Sequence, residues 1–389
     1  MNYGVRWDAQ TMPETVDPRT TAYAAFLSDP TFPSDGTIPS QWSMWQPRLG
    51  VAWDVKGNGT QLVRGSVGVY YARQNMLSQV GSVTTNGLQQ QTIVGVTPVW
   101  PGIVSPSALP NGQFPLFSGV RVFDRDYKNP HVFAYNIAFE QQIAPQVAAY
   151  ADFIWNEGHD LTRFLNYNRS GPVCCDVGPG TGNVYTYTGS PWGPQLGEVQ
   201  VTNSRGHSRY RGLTLGVRKR MSSGFQLEAN YVIAKDEDDD SNERDPFTDT
   251  SFNFFDLTKD WGPSNRDIRH KVNFFGYFTI PHGFWANTRV QYRGAQPVTA
   301  SPRIVNNVDN GRNSLRKDNE YFSFDWRLGR PIRFGKNYEL TPILEMFNTF
   351  NNKNNVIPLS TGGLFDFSGF LRTGVGDPRQ VQLAVKFTF

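Results

Sequence analysis

The densest chemistry in the chain is an acidic run, Asp236-Glu237-Asp238-Asp239-Asp240, followed by Glu243 and Asp245. Carboxylates this crowded are hard oxygen ligands, and Asp236, Asp238 and Asp240 are the candidates for a Ca²⁺ site. The spacing lacks the glycine and the terminal glutamate of an EF-hand loop, so the run reads first as a solvated external loop and only second as a Ca²⁺ site. Cys174 and Cys175 are the only cysteines and are adjacent. In an oxidising compartment they can close a vicinal disulfide; otherwise they are loop thiols, and their spacing does not resemble a zinc site. Histidines stand at 131, 159, 207, 270 and 282. They form no His-Glu-x-x-His pair, and no nucleophile elbow or P-loop accompanies them. His270, inside Arg269-His270-Lys271, is expected to line a lumen or its rim rather than act as a base. No cofactor is expected, and the chain is not expected to be an enzyme.

The elements that hold these residues are strands. Val381, Leu383, Val385, Phe387 and Phe389 alternate with Gln380, Gln382, Ala384, Lys386 and Thr388. Period two with one apolar face is the mark of a strand with two different surroundings. Similar runs recur around Val51, Val67, Ile137, Phe153, Leu215, Leu227, Phe274, Val290, Phe324 and Leu344, and the chain opens on another, Asn2 to Asp8. That makes about twelve strands, each near the ~10 residues that cross a bilayer in a β-barrel. The opposite faces are polar: Gln226, Glu228 and Asn230 in one strand, Asn287, Arg289, Gln291 and Arg293 in another. Charges in mid-strand are costly in a dry core and cheap in a wet lumen.

Composition agrees. Hydrophobic residues are 38% and aromatics 14% of 389 residues, with mean hydropathy −0.47. No apolar run approaches the ~18 residues of a spanning helix. A net charge of +3 argues against a nucleic-acid partner. The connections alternate short and long. Lys56-Gly57-Asn58-Gly59-Thr60, Ala144-Pro145, Ser222-Ser223-Gly224, Pro281-His282-Gly283 and Phe334-Gly335-Lys336-Asn337 are short; between them lie the long segments 9–45, 74–130, 157–207, 235–267, 295–319 and 351–378. In a meander this sorts all turns to one end and all long loops to the other, as in outer-membrane barrels. Asn58-Gly59 predicts a type I′ turn. Phe252, Phe254, Phe255 and Trp261 in one loop, and Tyr185, Tyr187 and Trp192 in another, suit either ligand recognition or interface anchoring.

Two resemblances sharpen this reading. Gln382, Ala384, Phe387 and Phe389 resemble the carboxy-terminal insertion signal of bacterial outer-membrane barrels, with Ala384 where that signal usually has Gly. Ser208 to Arg220, the hairpin Phe225 to Asp236, Gly262 to Lys271, Pro47 to Asp54 with Gly57 to Thr60, and Glu345 to Asn351 resemble the Oar-like TonB-dependent outer-membrane transporters. The likeness runs from the first strand to Phe389.

The resemblance implies an all-β, antiparallel transmembrane β-barrel of about 22 strands holding a plug, with energised uptake of a bulky substrate. It implies the TonB complex, the barrel-assembly machinery and outer-membrane lipid as partners, beside a substrate the sequence does not name. Met1 runs straight into Asn2-Tyr3-Gly4-Val5 with no apolar leader before it. The expectation is therefore that residues 1–389 are one barrel domain, the carboxy-terminal part of such a barrel, with signal peptide, TonB box and plug outside it. The alternatives are a plug-free passive channel and an outer-membrane adhesin or scaffold.

Overall fold

A computed structural model describes the chain except residues 89–118, 175–184, 242–248, 301–302, 306–307, 317–318, 336 and 355–376. Glu243, Asp245, Cys175 and Lys336 thus lie outside the described residues.

The period-two runs become twelve meander strands. They are β1 (Asn2–Gln10), β2 (Gln41–Asp54), β3 (Gln61–Tyr71), β4 (His131–Ala144), β5 (Val147–Asn166) and β6 (Glu198–Ser222). The second half comprises β7 (Phe225–Asp238), β8 (His270–Ile280), β9 (Phe284–Arg293), β10 (Tyr321–Gly329, resumed at Ile332–Phe334), β11 (Tyr338–Phe347) and β12 (Gln380–Thr388). Each pairs antiparallel with the next in sequence. Proline at 331, which has no N–H for the ladder, accompanies the break in β10. Among the described residues, β1 and β12 each leave one edge without a partner strand, so the described sheet is open.

Register sorts the side chains. Tyr3, Leu49, Val67, Tyr135 and Trp155 lie in one cross-strand row, and Leu215, Tyr231, Val272, Tyr292 and Phe322 in another. Many of these are solvent-exposed: Tyr3 is 84%, Tyr135 42% and Leu215 45% accessible. An apolar band this continuous is stable only against hydrocarbon. The intervening residues form the polar face.

All short connections fall at one end and all long ones at the other, as expected. The turn at Asn58-Gly59 is built differently from the expectation. Positive φ occurs at Gly57 (68°) and Gly59 (71°) and not at Asn58. The Asp54 carboxylate accepts from both glycine amides, at 3.0 and 2.6 Å, and so holds a wider turn than type I′. Ser223 and Gly224 form the tight turn with both residues at positive φ, 51° and 82°.

Two strands are far longer than the expected ~10 residues. β5 has 20 and β6 has 25. At ~3.3 Å per residue β6 is about 80 Å long, far more than the apolar band requires. Their extensions, Leu161–Asn166 and Glu198–Gly206, were expected to be loop. They carry a folded cap at the long-loop end. Gly119–Phe123 pairs parallel to β6, the exception to the antiparallel pattern, and Val120 packs with Tyr23, Phe32, Trp192, Val199 and Val201 in a buried core. A helix, Met76–Thr84, capped by the Asn75 side chain, also belongs to this end. The connection between β9 and β10 forms two small ladders, Pro297–Val298 with Leu315–Arg316 and Ile304–Val305 with Val308–Asp309.

Candidate functional site

The polar face is the first candidate surface, because alternation puts every second side chain of β1 to β12 there. Cross-strand ion pairs tile much of it. Arg64 meets Glu140 at 3.3 Å, Arg218 meets Glu228 at 3.7 Å, and Arg327 Nε donates to Glu345 at 2.5 Å. Asn136 donates to Asp152, and Asn273 to Asn230. Close packing is local: a side chain on Gly216 would meet the Tyr150 ring, whose hydroxyl reaches Glu228. Between β6 and β11 this face carries an open cavity of about 670 Å³, lined by Arg218, Glu228, Tyr277, Arg289, Asp325 and Glu345 among others.

The cap is the second candidate. Its centre is Arg163, 1% exposed, which donates through Nη2 to Asp260 at 2.7 Å and lies 3.7 Å from Asp240. Asp260 also accepts from the Phe252 amide. The other acids of the predicted Ca²⁺ run are bound to arginine or to the fold. Arg312 donates to Asp238, and Ser241 donates to it at 2.7 Å. Asp240 accepts from Thr250 as well. Asp236, Asp238 and Asp240 are therefore not gathered: among the described residues no group of His, Cys, Asp or Glu is arranged to hold a metal ion.

Asp236 lies past the apolar band, which ends on its strand at Ile233. Burial, then the charges of Asp238 and Asp267, push its carboxyl up to about 6, against the pull of Arg266. Its folded pKa is thus above its unfolded value, so ionising Asp236 opposes folding. The contribution of Asp236 to stability is therefore most favourable below about pH 4, falls as pH rises through about 6, and stays lower above. Asp236→Asn removes this dependence. We expect the variant's cap to melt higher than the native one at pH 7.5, with the difference gone near pH 4; an equal gain at both pH values would contradict the assignment.

The aromatic loops pack against each other more than they face outward. Tyr185 meets Phe252 at 5.5 Å, Tyr167 meets Phe254 at 5.0 Å, and Trp192 is buried edge-on to Phe32 at 5.1 Å. Phe255 and Trp261 remain exposed. Cys174 is disulfide-bonded.

The histidines are less scattered than their numbers suggest. His131 and His159 are register partners, equidistant from the β4–β5 turn, a pairing that the hairpin alone makes readable. His131, His159 and His207 form a row at the loop-side edge of the apolar face, with ring centroids 5.5 and 6.0 Å apart. A bulge in β5, with Asp160 at φ 53°, brings that carboxylate to 3.3 Å from His131. His270 is on the apolar face too, bonded to the Tyr231 hydroxyl at 2.7 Å, so it sits at the rim and not on the polar face.

The residues of the insertion-like tail divide by face: Gln382 and Ala384 on the polar side, Phe387 and Phe389 on the apolar side. Phe387 stacks near Phe334, Tyr338 and Phe389, with centroids 5.8–6.2 Å apart, at the turn end of the sheet. Such a cluster is the position of an aromatic girdle. We expect Phe389→Asp to lower the folded, heat-modifiable fraction in membranes several-fold; an unchanged fraction would separate the tail from assembly.

The profile of a family described as an outer membrane beta barrel domain matches residues 1–295. No curated protein matches in sequence. Among solved structures, the outer membrane transporter YddB from Escherichia coli is similar at TM-score 0.60 and 13% identity, over 90% of this chain and 41% of YddB. The FrpB iron transporter from Neisseria meningitidis (F5-1 variant) is similar at TM-score 0.51 and 12% identity, over 90% of this chain and 40% of FrpB. At such identities the likeness is one of fold, and the chain spans about two fifths of the length of these proteins.

Proposed function

Because this chain belongs to the family of outer membrane beta barrel domains, we propose that it is wall and external cap of a TonB-dependent transporter of the Oar-like kind. Its strands lie in the outer membrane, the apolar face toward lipid and the polar face toward a wet lumen. In the proposal they are the carboxy-terminal part of a larger barrel whose lumen holds a plug. The cap captures a scarce, bulky substrate, and the TonB complex pulls on the plug to open a path. Mechanical work is required because tight capture makes spontaneous release slow. No step needs a catalytic residue.

One observation carries this reading. Twelve strands with long loops at one end superpose on about two fifths of a solved outer membrane transporter, and among the described residues both outer edges of the sheet are unpaired. An unpaired edge in hydrocarbon costs several kcal/mol for each exposed backbone group. Further strands that close the wall remove that cost. The sequence resemblance adds the TonB coupling and the subfamily.

Conductance tests the proposal. Protein extracted intact from its native outer membrane is placed in a planar bilayer. A plugged transporter holds current near baseline until denaturant loosens the plug. Steady conductance of the untreated protein would favour the passive channel instead.

A further inference from the structure

On the polar face Arg64, Arg218 and Arg327 meet carboxylates, whereas Arg48, Arg220, Lys271, Arg289, Arg293 and Lys386 make no ion pair among the described residues. Lys271 on β8 and Arg293 on β9 are direct register partners on that face. Like charges so placed, with Cβ atoms about 5 Å apart, repel each other. Neither makes an ion pair with a described carboxylate; Arg293 instead lies over the Tyr321 ring, 4.5 Å from its centroid. Arg289, four residues down the same strand and about 13 Å away, is exposed and donates to Gln291. Its register partner, Asp325, borders the same cavity but accepts from Ser323 Oγ at 2.5 Å and from the Asn348 amide at 2.9 Å rather than from Arg289. Arg289 borders the 670 Å³ cavity, and so does Asn287, whose Oδ1 is buried with no hydrogen-bond partner.

Lys271 and Arg293 stand apart from the other unpaired cations in being like charges directly opposite each other on adjacent strands. Leaving Lys271 and Arg293 side by side fits a wall that something else neutralises. We propose that Lys271, Arg289 and Arg293 form a binding stripe for a small, multiply charged anion bearing phosphate or carboxylate groups, descending from the loop-side mouth into the cavity. Arg293 and Lys271 take one anionic group between them, and Arg289 takes a second deeper in the lumen. Guanidinium groups suit this because their donor fork matches planar or tetrahedral oxyanions. The assignment rests on the transporter reading and names its substrate class as anionic.

The test uses the full-length protein purified in detergent and inorganic pyrophosphate as probe, followed by calorimetry. Binding is expected, weakened about tenfold or more by Lys271→Gln with Arg293→Gln, and weakened by salt. Arg293→Lys should keep most of it, and Arg64→Gln, in an ion pair elsewhere on the wall, should leave it intact. Heat-modifiable mobility confirms that each variant is folded. No heat at millimolar pyrophosphate, or equal binding by the double variant, would overturn the assignment. Heat from poly-glutamate but not from pyrophosphate would overturn it as well, because the stripe would then face an acidic polypeptide. Binding in detergent needs neither TonB nor plug movement, so a failure here is separable from a failure of the conductance test.

Discussion

Leu215→Arg should destabilise the folded protein in lipid vesicles by about 2–4 kcal/mol, while Thr214→Arg, one residue away, costs less than about 1 kcal/mol. The two positions differ only in face. Leu215 is exposed on the apolar side, flanked in register by Ala151 and Tyr231. A guanidinium there must be drawn into hydrocarbon or must drag water in. Thr214 stands between Asp152 and Val232 on the polar side, where an arginine meets water and a carboxylate. Urea unfolding in vesicles reads both. Similar costs at the two positions would mean that the apolar band is not lipid-facing.

Arg163→Ala should cost the cap about 3–5 kcal/mol, the range for removing one partner of a buried ion pair. The reason is the charge left behind. Asp260 has a side chain 3% exposed and would lose its 2.7 Å donor, and Asp240, 8% exposed, would lose a nearby cation. The effect should be local, because Arg163 sits on the β5 extension beyond the apolar band. Limited proteolysis is expected to cut the loop around 253–261 in the variant while β7 and β8 stay protected. Arg163→Met with Asp260→Leu should recover part of the loss, since no unpaired charge then remains at that pair. Loss of the whole barrel on Arg163→Ala would contradict the division into wall and cap.

The wall was legible because a bilayer imposes one rule on every strand. Runs such as Phe225 to Ile233 alternate without a break, and each short turn carries Gly or Pro. The cap was not legible, because beyond the band no single rule holds. Val199 and Val201 alternate as cleanly as Leu213 and Leu215, but they face a protein core and not lipid. The acidic run read as free carboxylates because two of its partners, Arg163 and Arg312, are far away in sequence and arrive only through the fold. Asn58-Gly59 marked a turn correctly and misled on its type, since the Asp54 carboxylate sets the glycine geometry. The His131–His159 pair needed only the register of one hairpin. The Lys271–Arg293 pair follows likewise from the β8–β9 turn.

The most direct test of the account is whole-cell labelling of single cysteines with a membrane-impermeant maleimide, after Cys174 and Cys175 are replaced by alanine. Phe255→Cys, on the exposed surface of a long loop, and Ser223→Cys, in a short turn, sit at opposite ends of the sheet. The account predicts that the residue 255 cysteine reacts on intact cells and the residue 223 cysteine only after the outer membrane is opened. Labelling of residue 223 on intact cells, or protection of residue 255, would contradict a wall that crosses the outer membrane with its cap outside.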